Sequence, residues 1–143
     1  TVKFIGDVNE NEIREIKESL LCSSQKIREF KINIGRVGCF GSESHIRTIW
    51  LDINEGKNIM ENLMKFVNNN MKMGEYKISP HMTIARVKSK LTKNELMGIL
   101  GETKDVNIGK MDVKFISLKS SILTSNGPVY NDLAKYKLGV KYE

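Results

Sequence analysis

Apolar residues along this chain recur at two spacings, and the order in which those spacings follow one another restricts the fold more than any other feature. Ile13, Ile16, Leu20 and Leu21 keep the helical repeat, and Asn9 with Glu12 three places on supplies a capping box for a helix expected to reach about Ser24. Phe30, Ile32 and Ile34 then alternate with polar residues at period two. Beyond Gly35 and Arg36 the parity changes to Val37 and Cys39, which predicts a strand with a bulge or bend near the glycine. A loop over residues 41–44 leads into a second strand at 47–53. Ile59, Met60, Leu63, Met64 and Val67 form one stripe of a helix at about 55–70, with Met60, Met64 and Met71 read as core filler. Residues 78–87 read as a strand in which Pro80 suits the start rather than the middle. Thr92 and Glu95 make a second capping box, for a short helix carrying Leu96, Ile99 and Leu100 that Gly101 should stop. The rest reads as strands at 106–108, 111–118, 122–123, 129–130 and 133–138, with a turn at Ser125, Asn126, Gly127 and Pro128. Residues 1–6 also read as a strand.

That order predicts an α+β fold with mainly antiparallel sheet. No linker or low-complexity tract divides the 143 residues, which are expected to form one domain over 1–143. No apolar run approaches the roughly 20 residues of a membrane span, so the expectation is a soluble, cytoplasmic protein with no membrane partner. Cys22 and Cys39 fall in a predicted helix and a predicted strand, and read as reduced structural thiols. Neither cysteine stands at metal-ligand spacing from a histidine, so no metal and no cofactor is expected. Lys and Arg number 23 against 17 Asp and Glu, a net charge of +6 that suits a polyanion such as nucleic acid, although the lysines are spread along the whole chain.

Imidazole chemistry must use His45 or His81, the two histidines of the chain, or a group outside it. In His81-Met82-Thr83 the strand repeat puts the imidazole and the hydroxyl on one face, about 6.6 Å apart along the strand, a spacing that holds one phosphoryl group between a proton-transfer site and a hydrogen-bond donor. His45 precedes Ile46 and Arg47 instead of a threonine and reads as an exposed loop histidine. Phe4, Phe40, Trp50 and Tyr130 are candidates to stack on a base, with a core role as the alternative.

The run Pro80-His81-Met82-Thr83-Ile84-Ala85-Arg86-Val87 closely resembles the second signature of the two-histidine phosphoesterases, specifically the RNA 2′,3′-cyclic phosphodiesterases once described as 2′-5′ RNA ligases. Thr1-Val2-Lys3-Phe4-Ile5-Gly6-Asp7-Val8 resembles the tail of the first signature, whose histidine would stand two places before Thr1. Further matches are Val37-Gly38-Cys39-Phe40, Arg47-Thr48-Ile49-Trp50, and Leu123 to Tyr130 with Leu133-Ala134. Thr1-Val2-x-x-Ile5 and Thr83-Ile84-x-x-Val87 also share a pattern, as two half-sites should. The resemblance implies a two-lobed, pseudo-two-fold arrangement of antiparallel sheets around a central cleft, with helices outside, and a chain that lacks an N-terminal strand and helix.

For the chemistry it implies metal-independent hydrolysis of an RNA or nucleoside 2′,3′-cyclic phosphate to a 2′-phosphate, one histidine activating water and the other protonating the departing ribose oxygen, with 2′-5′ RNA ligation as the reverse. His81, Thr83 and Thr1 would be catalytic, and Arg86 and Arg47 would bind substrate. Strict alternation turns Arg86 away from His81, so its role requires twist or a bulge; for Arg47, lining the cleft or capping the sheet are the alternatives. The partner implied is RNA or a nucleotide with a cyclic phosphate end, bound by a monomer. Two alternatives stand beside this: an RNA-binding module of the same fold without catalysis, and a related enzyme acting on another small cyclic phosphate such as one derived from ADP-ribose.

Overall fold

The computed structural model describes residues 1–42, 45–71, 73–74, 76–88, 92–103 and 106–140. Helix α1 spans Glu10–Lys26 and begins as the sequence predicts, with the Asn9 side chain accepting from the backbone N–H of Asn11 and Glu12 while the Glu12 carboxylate accepts from Asn9 N–H at 2.7 Å. Strands β1 (Phe30–Ser42) and β2 (His45–Glu55) pair antiparallel, so Gly41 and Ser42 of the expected loop belong to β1, while Glu43 and Ser44 lie outside the described residues. Helix α2 (Lys57–Asn70), strand β3 (Met82–Arg86), helix α3 (Lys93–Glu102) and strands β4 (Asn107–Val113), β5 (Phe115–Thr124) and β6 (Gly127–Lys137) complete the order. The fold is α+β, and the β1–β2, β2–β3 and β5–β6 ladders are all antiparallel.

The chain divides into two compact units. One comprises Lys31–Asn62 and Ile78–Asp112 together with Thr1, and holds the sheet ordered β3-β2-β1-β4. Its buried apolar side chains include Ile32 and Ile34 of β1, Ile46, Leu51 and Ile53 of β2, and Leu96 of α3. The other comprises Val2–Phe30, Leu63–Lys77 and Val113–Glu143, and packs α1 against the β5–β6 hairpin. Ile16, Leu20, Leu63, Met64, Val67, Met71, Ile116, Leu118 and Leu138 are buried there. Ile13, Leu21 and Met60, which the apolar stripes place toward a core, are half-buried.

Several boundaries depart from the sequence expectation, among them the short strands expected at 122–123, 129–130 and 133–138: the first is part of β5 and the other two belong to β6, which ends at Lys137. Residues 1–6 are irregular instead of extended in a sheet; a strand exists only as one side of a ladder, and here Lys3 donates its ammonium to Asn68 Oδ1 at 2.7 Å while Gly74 lies close against Phe4 and Ile5. The single strand expected at 111–118 is two, β4 in the larger sheet and β5 in the hairpin, parted at Lys114, whose carbonyl accepts from Leu138 N–H at 2.8 Å. Strand β3 starts at Met82, two residues beyond a buried Pro80 that has no N–H to give a ladder. Helix α3 passes Gly101 by one residue, and the Ile99 side chain expected on its apolar face lies outside those described. Its capping box is present, and the Thr92 backbone N–H, followed by the Thr92 hydroxyl, holds the Glu95 carboxyl below the usual carboxylate range. No described helix is long and apolar enough to cross a membrane.

Candidate active site

Strand register decides which side chains meet. On β2, Thr48 and Trp50 are two residues apart and share one face of the sheet. Phe40 and Gly38 of β1 stand opposite them and so point to the same side, while the alternate residues Leu51 and Ile53 face the core. On β3 the register is broken: Thr83 stands opposite Trp50 and Ala85 opposite Ile49, which leaves Ile84 without a counterpart. This is a β-bulge, and it reverses the parity of the residues beyond it. Arg86 then stands opposite Thr48, on the same face as Thr83. Strict alternation would have put Arg86 on the other side; one extra residue restores it.

His81 immediately precedes β3 and lies on that same face, half-buried against two rings. The Phe40 ring is edge-on to the imidazole with centroids 4.9 Å apart, and Trp50 lies 6.2 Å away. Nδ1 is 2.7 Å from the Ser79 carbonyl oxygen. A carbonyl only accepts, so the proton of the neutral ring belongs on Nδ1, and Nε2 keeps its lone pair for proton transfer. Trp50 is itself placed by a glycine: a Cβ on Gly38 would fall 2.3 Å from the indole, so only glycine leaves room for the ring to lie across β1. Phe40 and Trp50 stack at 5.1 Å with their planes tilted by 35°. The buried Trp50 Nε1 finds no acceptor among the described residues, a condition that costs about 1–3 kcal/mol. A cost of that kind is typical of residues kept for something other than stability.

His81, Thr83 and Arg86 therefore converge on one face of β3, with Thr83 and Arg86 exposed and able to meet a ligand. Arg47 is exposed and bulged, the β1–β2 register passing from Phe40 opposite Thr48 to Gly41 opposite Ile46 and leaving it out. Its carbonyl accepts from Val87 N–H at 2.9 Å, so its backbone secures the end of β3. Thr1 is exposed in irregular chain. His45 is exposed at the first position of β2, opposite Ser42, instead of in a loop. Among the described residues no group of three His, Cys, Asp or Glu side chains could hold a metal ion.

A family model described as LigT like Phosphoesterase matches residues 1–50. The RNA 2′,3′-cyclic phosphodiesterase of Methanothermobacter thermautotrophicus is 33% identical over 141 residues, a match covering 96% of this chain and 77% of that protein. The chain belongs to the RNA 2′,3′-cyclic phosphodiesterase family. Solved structures resemble this family member in fold. The Thermus thermophilus protein TT0787 matches with a TM-score of 0.73 at 22% identity over 99% of this chain and 78% of that one. E. coli LigT complexed with 3′-AMP matches with a TM-score of 0.72 at 18% identity over 96% and 75%. The motif of this phosphodiesterase relative, His81-Met82-Thr83, was legible in its sequence, whereas the rings that hold His81 were not. Gly38 and Trp50 carry the local signal, but only the β1–β2 register shows that they touch.

Proposed function

We propose that the protein hydrolyses RNA or nucleoside 2′,3′-cyclic phosphate ends to 2′-phosphates by metal-independent acid–base catalysis, with 2′-5′ ligation as the reverse reaction. The observation that carries this reading is the Ile84 bulge, which sets Arg86 beside Thr83 on the face that bears His81. A cyclic phosphodiester seated there meets a proton-transfer nitrogen, a hydroxyl donor and a guanidinium. His81 Nε2 either takes a proton from water or gives one to the departing ribose oxygen, and each such transfer contributes about 10²- to 10⁴-fold. Thr83 and Arg86 stabilise the charge that grows on the phosphoryl oxygens. The scheme needs a second proton-transfer group, and in the proposed pseudo-two-fold pair of half-sites that group belongs to the half-site of Thr1, the counterpart of Thr83. The net charge of +6 suits RNA or a nucleotide as the partner of a cytoplasmic monomer.

The test is steady-state turnover of 2′,3′-cyclic nucleotides by the complete protein. Activity should persist in excess chelator. Arg86→Ala should raise KM about tenfold or more, the scale expected when a charge-assisted phosphate contact is lost. Activity abolished by chelator and restored by a divalent ion, or an Arg86→Ala protein with unchanged kinetics, would contradict the proposal.

A further inference from the structure

We infer that Phe40 is a positioning residue for His81, the outer member of an aromatic brace built by Phe40, Trp50 and Gly38; its consequence for catalysis rests on the hydrolytic reading above. An imidazole held by one hydrogen bond, here Nδ1 to the Ser79 carbonyl, still rotates about that bond. A second contact at an angle removes the rotation. Phe40 supplies it, standing at 87° to the imidazole plane with centroids 4.9 Å apart, an edge-to-face geometry that is favourable for aromatic pairs. Phe40 is flanked by the Trp50 indole, which crosses the sheet where Gly38 has no side chain. The carbonyl thus selects the protonated nitrogen, and the Phe40 ring keeps the imidazole seated against that carbonyl, so that loss of the ring releases both the tautomer and the direction in which Nε2 points. Misplacement of a reacting group by about 1 Å can cost two orders of magnitude in rate, so a partial loss of aim should be visible in kcat.

The test uses Phe40→Met, which keeps apolar volume and removes the ring, and Phe40→Tyr, which keeps the ring. In the folded protein, long-range ¹H–¹⁵N correlations of the ring nitrogens report the tautomer of each histidine, and His45 serves as an internal control because it is exposed on β2 away from these rings. Wild-type and Phe40→Tyr proteins should show neutral His81 protonated on Nδ1, and Phe40→Met should show averaging between tautomers at His81 with His45 unchanged. In turnover, Phe40→Met should lower kcat roughly tenfold with KM within about twofold, Phe40→Tyr should restore it, and Phe40→Met should add nothing in a His81→Ala background. A His81 signature unaltered in Phe40→Met, or a kcat unaltered while His81→Ala is inactive, would overturn the positioning role. Full turnover by His81→Ala would instead sink the hydrolytic reading and leave the tautomer measurement to judge the brace alone. Should Phe40→Met fail to fold, Gly38→Ala reports on the same brace, since its methyl must displace the Trp50 indole and produce the same His81 averaging; an unchanged His81 signature there counts against the role.

Discussion

Replacing His81 with alanine should lower turnover of 2′,3′-cyclic nucleotides by the complete protein at least about a hundredfold while leaving thermal unfolding nearly unchanged. The expectation rests on the contacts of the side chain. His81 is half-buried, bonded to one carbonyl and leaning on Phe40, so its removal exposes part of an aromatic ring and frees a carbonyl that water can reach. Little packing is lost. The loss falls on the imidazole nitrogen that the proposed reaction uses for proton transfer. Thr83→Ala should cost less than His81→Ala, because in the proposed reaction it removes a hydrogen-bond donor to the phosphoryl oxygens and leaves proton transfer in place. An alanine variant at His81 with near-normal turnover would remove this residue from the chemistry.

The second large effect concerns the sheet that carries the site. Gly35 is buried in β1 where the strand bulges, and a Cβ there would lie 2.2 Å from the Val106 carbonyl oxygen and 2.4 Å from Asn54 Nδ2. The first of these is backbone and cannot swing aside, because Val106 O is the acceptor that holds Arg36 N–H at 2.9 Å. Arg36 needs that support, since it has a positive φ of 49°, rare outside glycine. Gly35→Ala should therefore destabilise by about 3 kcal/mol, read as a lower denaturant midpoint at unchanged slope. Gly98→Ala is the matched control. It lies in the exposed interior of α3 with nothing within 4 Å of the added methyl, and should stabilise by about 0.5–1 kcal/mol. Equal midpoints for the two variants would show that the crowding at Gly35 is not real.

Signals carried by residues close together in the chain were legible in the sequence. Asn9 and Glu12 named the start of α1 because a capping box is closed within one short chain segment. The parity change at Gly35 and Arg36 announced the bulge in β1 for the same reason. Features that depend on a neighbouring strand were not legible. Within residues 111–118 the apolar parity passes from Met111, Val113 and Phe115 to Ile116 and Leu118, a change that a bulge in one strand would also produce, so it does not say that β4 joins one sheet and β5 another. Residues 1–6 have strand composition, yet a ladder needs a second strand, and composition carries no information about one. The same division runs through the site. His81 and Thr83 were found from a three-residue motif, whereas the side on which Arg86 emerges depends on Ile84 being skipped in the β2–β3 register. The contact between Phe40 and His81 joins residues 41 positions apart, and no local pattern encodes it.

The proposed reaction opens a 2′,3′-cyclic phosphodiester at this face of β3 by acid–base chemistry centred on His81. Its most direct test is ³¹P NMR of a nucleoside 2′,3′-cyclic phosphate incubated with the complete protein in chelator, run beside His81→Ala. With the wild-type protein the cyclic resonance should be replaced by that of the 2′-phosphate alone, and with His81→Ala it should persist. Accumulation of the 3′-phosphate, or equal conversion by the two proteins, would contradict it.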